Sequence, residues 1–399
     1  MDFTPTEAQA EARDLAARIF GDLATHERLR AAGTGSDPEL WKALTAAGLV
    51  AAVSELGLLG LVLLLEEQGR TTAQVPYAAS CVYGQLAIAA HGTGEQRERL
   101  LPGIGDGSVV VTGAFPAQPS VRPSAYGGSV EPSAYGGSVE PSAYGGSVGP
   151  SAYGGLSGTV PVVPWLRDAT HVLVADAERR LWLVPIGEGT SVEEVELTAP
   201  WSAGRLTLQD APAEPLGSDP GSDPDPDPGP GPGPDPDPDT GSGSGPGSGT
   251  GAYADVLATA RTAFAGLQAG VCAGSLARAV AHTNAREQFG RPLATRQGVQ
   301  LRAADAHMDT EAIRVTAYEA AWRRDTGLPY ATHALTAAWW ASEAGQRVVH
   351  TGQHLHGGTG ADVGHPVHRH FLWGRQLDAY LGNGGEVLQE LGELIASGS

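Results

Sequence analysis

The apolar positions near the N-terminus have the spacing of an α-helix. Leu40, Leu44 and Leu49 recur at short intervals after Asp37-Pro38-Glu39, which combines an N-capping side chain with a proline in the first helical turn. Thr4-Pro5-Thr6-Glu7 repeats this signature at the start of the chain. We therefore predict that residues 1–112 form a helical domain.

The apolar pattern of the C-terminal part also predicts helices, and these are longer. Further helical patterns cover 297–323 and 333–354, and a last helix follows the glycine-rich break at 382–385. Long helices joined by short loops are typical of an antiparallel bundle, which we predict for residues 252–399. The first helix has one continuous apolar face formed by Leu257, Ala260, Phe264, Leu267, Val271, Leu276 and Val280.

Between the two helical regions, short runs of branched residues predict β-strands. The runs are Val109–Val111, His171–Val174 and Leu181–Val184, and each is bounded by Gly, Pro or Asp. They place a β domain at residues 113–216. The order of helical domain, β domain and helical bundle predicts a multidomain α+β fold.

Two low-complexity segments interrupt this order. A nonapeptide, SAYGGSVEP, recurs within residues 123–155, and each copy has too few apolar side chains to build a core. We interpret it as an insertion in a surface loop rather than as a solenoid. Residues 217–251 are almost entirely Gly, Pro, Asp and Ser, which is typical of a disordered linker.

Charge and cysteine content restrict the class of protein. The net charge is −20, which disfavours nucleic acid as a partner because phosphate binding requires a basic surface. Only two cysteines occur in 399 residues, so we expect a reducing, cytoplasmic location. The most apolar stretch, residues 56–65, is shorter than the roughly 20 residues that span a bilayer, so we expect a soluble protein without membrane contacts.

Three motifs resemble those of acyl-CoA dehydrogenases. Residues 286–293 (Arg-Glu-Gln-Phe-Gly-Arg-Pro-Leu) with Gln297 resemble the segment after that family's first bundle helix. Residues 354–360 (His-Leu-His-Gly-Gly-Thr-Gly) resemble its glycine turn between later helices, and Gly92-Thr93-Gly94-Glu95 resembles its N-terminal domain. The resemblance extends over nearly the whole chain outside the low-complexity segments. It implies an N-terminal all-α domain, a middle β-barrel-like domain and a C-terminal four-helix bundle.

The resemblance also implies that the chain contacts FAD, which in this family lies across a subunit interface. An arginine can present two parallel donors to a diphosphate, and glycines let backbone N–H groups approach it closely. The alternatives are a surface arginine at a helix end and an ordinary helix-terminating glycine turn. By resemblance, the contacts to the ADP half of FAD fall on Arg286, Phe289, Gln297, His354, Gly357 and Gly358, although many relatives have glutamine at the position of His354.

A catalytic base is missing from both positions where relatives carry one. The family's reaction uses a glutamate to remove the α proton of a thioester while a β hydride passes to the flavin. Counted from the Gly357 turn, one glutamate position falls on Leu381, and counted back from Arg286, the other falls on Ala260. Neither side chain can accept a proton. Glu386 is close in sequence, but we expect it to point elsewhere.

The segments that hold the flavin ring in relatives are altered as well. Where relatives carry a Thr-Glu-Pro-like loop, residues 112–117 read Thr-Gly-Ala-Phe-Pro-Ala. In place of a Trp-x-Thr-like segment, Trp165 is present without the hydroxyl. We therefore do not expect a complete flavin-ring pocket in this chain.

One group of relatives combines these losses. The stretches 1–4, 341–351 and 356–372 are similar to the base-less subunit of α2β2 heterotetrameric acyl-CoA dehydrogenases that degrade steroids in actinobacteria. This similarity implies a glutamate-bearing paralogue as partner and an inactive isolated chain. The implied substrate is a CoA thioester of a cholesterol-type side chain, bound mainly by the partner.

Other hypotheses remain open. The chain is alternatively a homomeric acyl-CoA dehydrogenase with an unrecognised base, or a non-enzymatic scaffold of the same fold. A zinc site is a further possibility, but no cysteine lies near the histidines, so we predict no metal and a core or interface role for them. The histidines that crowd this region are His350, His354, His356, His365, His368 and His370.

Overall fold

The computed structural model describes residues 3–116, 122–123, 155–217 and 249–397. Nearly all of the nonapeptide insertion and of the 217–251 linker therefore lies outside the described residues. Within the described ranges, helices come first, strands follow, and longer helices complete the chain. This order agrees with the predicted multidomain α+β fold.

The N-terminal region is helical, and its capping residues explain where two helices begin. The Asp37 carboxylate accepts hydrogen bonds from the backbone N–H groups of Glu39 and Leu40, and Pro38 occupies the first turn. Thr6 starts the first helix in a capping box with Gln9. The helices are α1 (Glu7–Leu23), α2 (His26–Ala32), α3 (Pro38–Ala46), α4 (Val53–Thr71), α5 (Tyr77–Ala79), a π-helical turn (Ser80–Leu86), α6 (Ala87–His91) and α7 (Gly94–Asp106).

The middle region forms two four-stranded sheets, with strand orders β1-β4-β5-β8 and β2-β3-β7-β6. Strands β1 and β4 are parallel, and the other neighbours within these sheets are antiparallel. The first strand begins at Val111, two residues later than the predicted run. The strands are β1 (Val111–Ala114), β2 (Arg122–Pro123), β3 (Leu156–Val163), β4 (His171–Ala175), β5 (Leu181–Pro185), β6 (Thr190–Glu194), β7 (Gly204–Ala211) and β8 (Glu214–Pro215).

The first sheet is buried on both faces. Along β4, Val172 and Val174 join a small core shared with the second sheet, whereas Leu173 and Ala175 belong to the main core formed by the helices. Successive strand residues point to opposite faces, so this alternation follows directly from the strand geometry. The sheet therefore separates the second sheet from the helical regions.

The C-terminal region contains five helices and a short hairpin. Helix α11 begins at Pro366 and buries Val367, His370 and Trp373. The sequence pattern does not predict where this helix begins or ends. The elements are α8 (Gly249–Ala285), β9 (Glu287–Gln288), β10 (Arg291–Pro292), α9 (Gln297–Asp325), α10 (Ala331–Leu355), a 3-10 turn (Gly357–Ala361), α11 (Pro366–Tyr380) and α12 (Gly384–Ala396).

Close packing fixes the N-terminal helices on the bundle. A Cβ atom added to Gly69 of α4 would collide with the backbone of α8, and one added to Gly270 of α8 would collide with the backbone of α4. At the same crossing, the buried Glu66 carboxylate accepts hydrogen bonds from Nε of Arg314 on α9, the shorter at 2.9 Å. The two helical regions are thus joined by backbone contact and by a buried ion pair.

Helix α8 is apolar on most of its surface because it is the central helix of the bundle. Residues 251–285 are long and apolar enough to cross a membrane by length and composition alone. However, 72% of the most apolar window is buried inside the protein. A helix surrounded by other helices has no polar face, and this accounts for its composition.

Candidate functional site

The two positions expected for a catalytic base are both buried. Ala260 lies in α8 and is fully buried, and Leu381 follows α11 and is 6% exposed. Arg261 links their surroundings, because its Nε donates to the Leu381 carbonyl oxygen at 3.3 Å. The other two guanidinium nitrogens donate to the two carboxylate oxygens of Glu390 on α12, at 2.8 and 2.7 Å. The Glu390 carboxylate is thus already paired with an arginine.

Glu386, the carboxylate considered as a substitute, has a structural role. Its Oε2 accepts a hydrogen bond from the backbone N–H of Asn383 at 3.0 Å. In return, the Asn383 side chain accepts from the backbone N–H groups of Gly385 and Glu386. This capping box starts α12 and holds Glu386 at the exposed helix end.

An aromatic cluster fills the space beside Leu381. The ring of Trp165 stacks on that of Trp201 with 4.3 Å between centroids, and Phe115 stacks on Tyr83 at 5.2 Å. A small void lined by residues that include Leu381 has a volume of about 20 Å³, which is enough for one water molecule but not for an acyl chain. The aromatic cluster comprises Tyr83, Phe115, Trp165, Trp201, Tyr253, Phe264, Trp373 and Tyr380.

The two segments expected to hold a flavin ring contribute to this cluster instead. The buried Thr112 hydroxyl donates to the Pro164 carbonyl oxygen at 2.6 Å, so the segments bond to each other. Phe115 of the first segment and Trp165 of the second insert their side chains into the aromatic cluster and are at most 6% exposed. A ring system as large as a flavin could not enter unless these side chains moved.

Two tyrosines of the aromatic cluster, Tyr83 and Tyr380, offer no base either. The hydroxyls of Tyr83 and Tyr380 lie 3.0 Å apart and share a hydrogen bond. Burial raises the pKa of both hydroxyls, so they stay protonated at neutral pH. The region around Leu381 is therefore packed and aromatic, and the Glu390 carboxylate near it is already paired with Arg261.

The residues predicted to contact the ADP half of FAD are, by contrast, open to solvent. Phe289 and Gly290 form the turn between β9 and β10, with φ of 55° and 75°. The Phe289 side chain is 91% exposed, and the guanidinium carbon of Arg296 lies 5.2 Å from its ring centroid. A left-handed, solvent-exposed phenylalanine costs free energy, which is typical of a residue retained for binding. Arg286 and Gln297 are also exposed on either side of this hairpin.

The glycine turn is equally accessible. Gly357 has a φ of 63°, and a Cβ atom added to Gly357 or Gly358 would meet nothing within 4 Å. His354 is exposed on the last turn of α10, where it lines a groove of about 1000 Å³ between α9 and α10. The structure thus places the predicted contacts on two neighbouring chain segments, the hairpin after α8 and the turn after α10.

Two histidines connect these segments. The ring of His282, in the last turn of α8, stacks on that of His356 with 4.6 Å between centroids, and His356 directly precedes Gly357. His356 belongs to the histidines that crowd the glycine turn in the sequence, whereas His282 lies far from them along the chain and could not be grouped with them. His282 lies four residues before Arg286, which places both on one helix face, and this spacing is the signal in the sequence that points to His282. Within the described ranges, no group of three or more His, Cys, Asp or Glu residues is arranged to hold a metal ion.

Comparisons with known proteins identify the family of the chain. Residues 6–108 match the family described as "Acyl-CoA dehydrogenase, N-terminal domain", and residues 247–391 match "Acyl-CoA dehydrogenase, C-terminal domain". Acyl-CoA dehydrogenase FadE27 of Mycobacterium tuberculosis is 29% identical over 99% of both chains.

Two solved structures extend the similarity. A variant of the Tcur3481-Tcur3483 steroid ACAD is 38% identical over 98% of both chains, with a TM-score of 0.80. The ChsE4-ChsE5 complex from Mycobacterium tuberculosis is 27% identical over 99% of both chains, with a TM-score of 0.81. These matches confirm the predicted resemblance and fold class. The chain belongs to the acyl-CoA dehydrogenase family.

Proposed function

We propose that this chain is the base-less subunit of an FAD-dependent acyl-CoA dehydrogenase complex with α2β2 composition. Its partner is a paralogue that carries the catalytic glutamate and the flavin-ring pocket. The complex desaturates the CoA thioester of a steroid side chain between its α and β carbons, and the partner binds most of that substrate. The chain itself contributes the contacts to the ADP half of FAD at the subunit interface.

One observation carries the proposal: the region around the two predicted base positions, Ala260 and Leu381, is closely packed. A thioester needs a carboxylate next to its α carbon and a channel for its acyl chain. Here Ala260 and Leu381 occupy the base positions, and the void beside Leu381 has only about 20 Å³. A homomeric enzyme with an unrecognised base would require a second channel as well as a second carboxylate.

The contrast between the two halves of the FAD site supports a shared cofactor. The aromatic cluster leaves no room for the ring, whereas the hairpin and the glycine turn are exposed and open. When bound, FAD supplies the hydride acceptor of the reaction. On this chain, Arg286 pairs with the diphosphate, the Phe289 ring packs on adenine, and the amides of Gly357 and Gly358 approach the phosphate oxygens. Gln297 and His354 provide further polar contacts.

The similarity to heteromeric proteins supports a partner. Both the Tcur3481-Tcur3483 steroid ACAD and the ChsE4-ChsE5 complex are named as pairs of different chains. The name of the first also indicates a steroid as the class of substrate. The exposed, left-handed Phe289 supports a binding role for the hairpin between β9 and β10.

The decisive experiment expresses the chain alone and together with its glutamate-bearing paralogue. We expect no reduction of a ferrocenium acceptor by steroid acyl-CoA with the isolated chain, because it has no proton acceptor at the reaction site. We expect activity from the co-purified complex, and loss of that activity when the glutamate of the paralogue is replaced by glutamine. Turnover by the isolated chain at the rate of the complex would contradict the proposal.

A further inference from the structure

A cleft of about 740 Å³ lies between α7 and the side of the first sheet that faces the helices. Its apolar lining includes Leu100 of α7, Leu183 of β5 and Val109, which precedes β1. Small-molecule sites in proteins usually have volumes of about 300–1,000 Å³ and combine an apolar lining with a few polar groups. The cleft has this size, whereas the void beside Leu381 holds no more than one water molecule.

The cleft is separate from the region where the catalytic base is missing. Val109 lies just before β1, and Phe115 of the aromatic cluster follows the other end of that strand. Six residues of extended chain span about 20 Å. Among the described residues that line the cleft, none is predicted to contact FAD. The cleft is thus independent of the proposed function, and the outcome of its test leaves that proposal untouched.

The polar groups of the cleft carry one more negative charge than positive charge. Arg99 of α7 forms an ion pair with Glu214 of β8, so these two charges offset each other. Burial, followed by the charge of Arg99, lowers the pKa of His171, so its imidazole is neutral at neutral pH. Asp210 forms no ion pair within the described part of the chain. Its carboxylate is therefore an unbalanced negative charge beside an apolar cleft.

A β-bulge holds Asp210 at the cleft. Opposite Ser157 of β3, strand β7 has two residues, Gln209 and Asp210, so the ladder contains one extra residue. Asp210 has a left-handed φ of 50°, and its backbone N–H donates to the Ser157 hydroxyl oxygen at 2.9 Å. A Cβ atom at Gly155 would collide with Oδ1 of Asp210, so the carboxylate lies against a residue that also lines the cleft.

His171 offers a hydrogen-bond acceptor in the same cleft. Its Nδ1 lies 3.0 Å from the Thr170 hydroxyl oxygen, and that hydroxyl donates to the Val110 carbonyl oxygen at 3.1 Å. Because the hydroxyl hydrogen is used in this way, Nδ1 of the neutral imidazole is the donor to Thr170. Nε2 is then left as an acceptor, and it has no hydrogen-bond partner within the described ranges.

We infer that this cleft binds an organic cation, with its apolar body against Leu100 and Leu183 and its ammonium group beside Asp210. His171 provides a further acceptor for a hydrogen bond from the ligand. A carboxylate in the same place would meet the charge of Asp210 and the field of a protein with a net charge of −20. The site therefore discriminates against anions.

The test is calorimetry of the full-length chain with two probes that share one apolar body and differ in the charge of the head group. The probes are 1-naphthylmethylammonium and 1-naphthoate. We expect the ammonium probe to bind at one site per chain and at least about tenfold more tightly than the carboxylate probe. The reason is that reversing the charge of the head group turns its attraction to Asp210 into repulsion.

Three variants locate the site. Asp210→Asn removes the charge and keeps a residue that tolerates a left-handed φ, so the variant should fold. We expect it to weaken binding of the ammonium probe by about fivefold and not to weaken binding of the carboxylate probe. Pro212→Trp places a large side chain in the cleft and should abolish binding of both probes. The matched control, Asp22→Asn, alters an exposed aspartate of α1 outside the cleft and should leave both affinities unchanged.

The inference is overturned by any of three results. Equal affinity for the two probes, or no binding of either, would show that the cleft does not select a cation. Full binding of the ammonium probe to both Asp210→Asn and Pro212→Trp would place the probe elsewhere on the chain. Should Pro212→Trp not fold, Asp210→Asn decides alone, and an unchanged ratio between the two affinities overturns the inference.

The chain itself is the other candidate occupant, because the nonapeptide insertion ends at Gly155, which lines the cleft. The last tyrosine of the insertion, Tyr153, precedes Gly155 by two residues. If the ammonium probe bound only to the variant Tyr153→Ala, the insertion would be the natural occupant of the cleft and the inference would be wrong. Equal affinities of the wild type and Tyr153→Ala for the ammonium probe support a site that is free for a separate ligand.

Discussion

Replacing Arg286 with alanine in the complex is expected to weaken FAD binding by about 30- to 150-fold. A bidentate, charge-assisted contact to a phosphate contributes about 2–3 kcal/mol, which corresponds to this change in Kd. Arg286 is exposed and outside the core, so the variant should fold normally. The measurement is the FAD content of the purified complex and the Kd for FAD added back to the stripped complex, obtained from flavin fluorescence.

Two variants control this result. Arg286→Lys keeps the charge but loses the planar fork, so we expect an intermediate loss of affinity. Arg205→Ala removes an exposed arginine of β7 that pairs with Glu193, and it should leave FAD binding unchanged. Wild-type affinity and wild-type turnover in the Arg286→Ala complex would show that this chain does not hold the diphosphate.

Replacing Trp201 with alanine is expected to lower the free energy of unfolding by about 3–5 kcal/mol. Trp201 is 1% exposed and contacts three other members of the aromatic cluster, so its removal leaves a large cavity. Its indole N–H has no hydrogen-bond partner within the described residues. Trp201→Phe should therefore lose much less stability, because it keeps ring packing and removes an unpaired buried donor.

Denaturant unfolding of the complex, followed by far-UV circular dichroism, measures this effect. Trp339→Ala is the matched control, since Trp339 is only partly buried on α10 and should contribute far less. If Trp201→Ala were as stable as the wild type and bound additional flavin, the aromatic cluster would be a displaceable lid over a working site. That result would contradict the interpretation that the aromatic cluster permanently fills the space beside Leu381.

The fold, which the comparisons confirm, could be predicted from local signals in the sequence, and the missing base, which stays a prediction, rests on signals of the same kind. Asp37-Pro38 marked the start of α3, and counting from Arg286 and Gly357 identified Ala260 and Leu381, which the structure brings to the same region through Arg261. Motifs of this kind can be recognised in a sequence because a few adjacent residues determine a turn or a helix start. The bounds of α11 were missed, since its buried positions are few.

The aromatic cluster and the contact between His282 and His356 could not be predicted in the same way. Tyr83, Trp201 and Tyr380 come from three distant parts of the chain and meet only through tertiary packing. Likewise, His282 stacks on His356 although more than one helix separates them in sequence. No periodicity or spacing encodes such contacts, so the close packing around Leu381 and the stacked histidine pair could be found only in the structure.

The amount of FAD per heterodimer tests the central claim most directly. The claim is that the ring site of this chain is filled and that its ADP contacts serve the flavin of the partner. The purified complex, saturated with FAD and freed of excess ligand, should contain one FAD for each pair of chains, measured by flavin absorbance after denaturation against the concentration of protein. Two FAD molecules for each pair would mean that this chain holds a flavin ring of its own, and the account would be wrong.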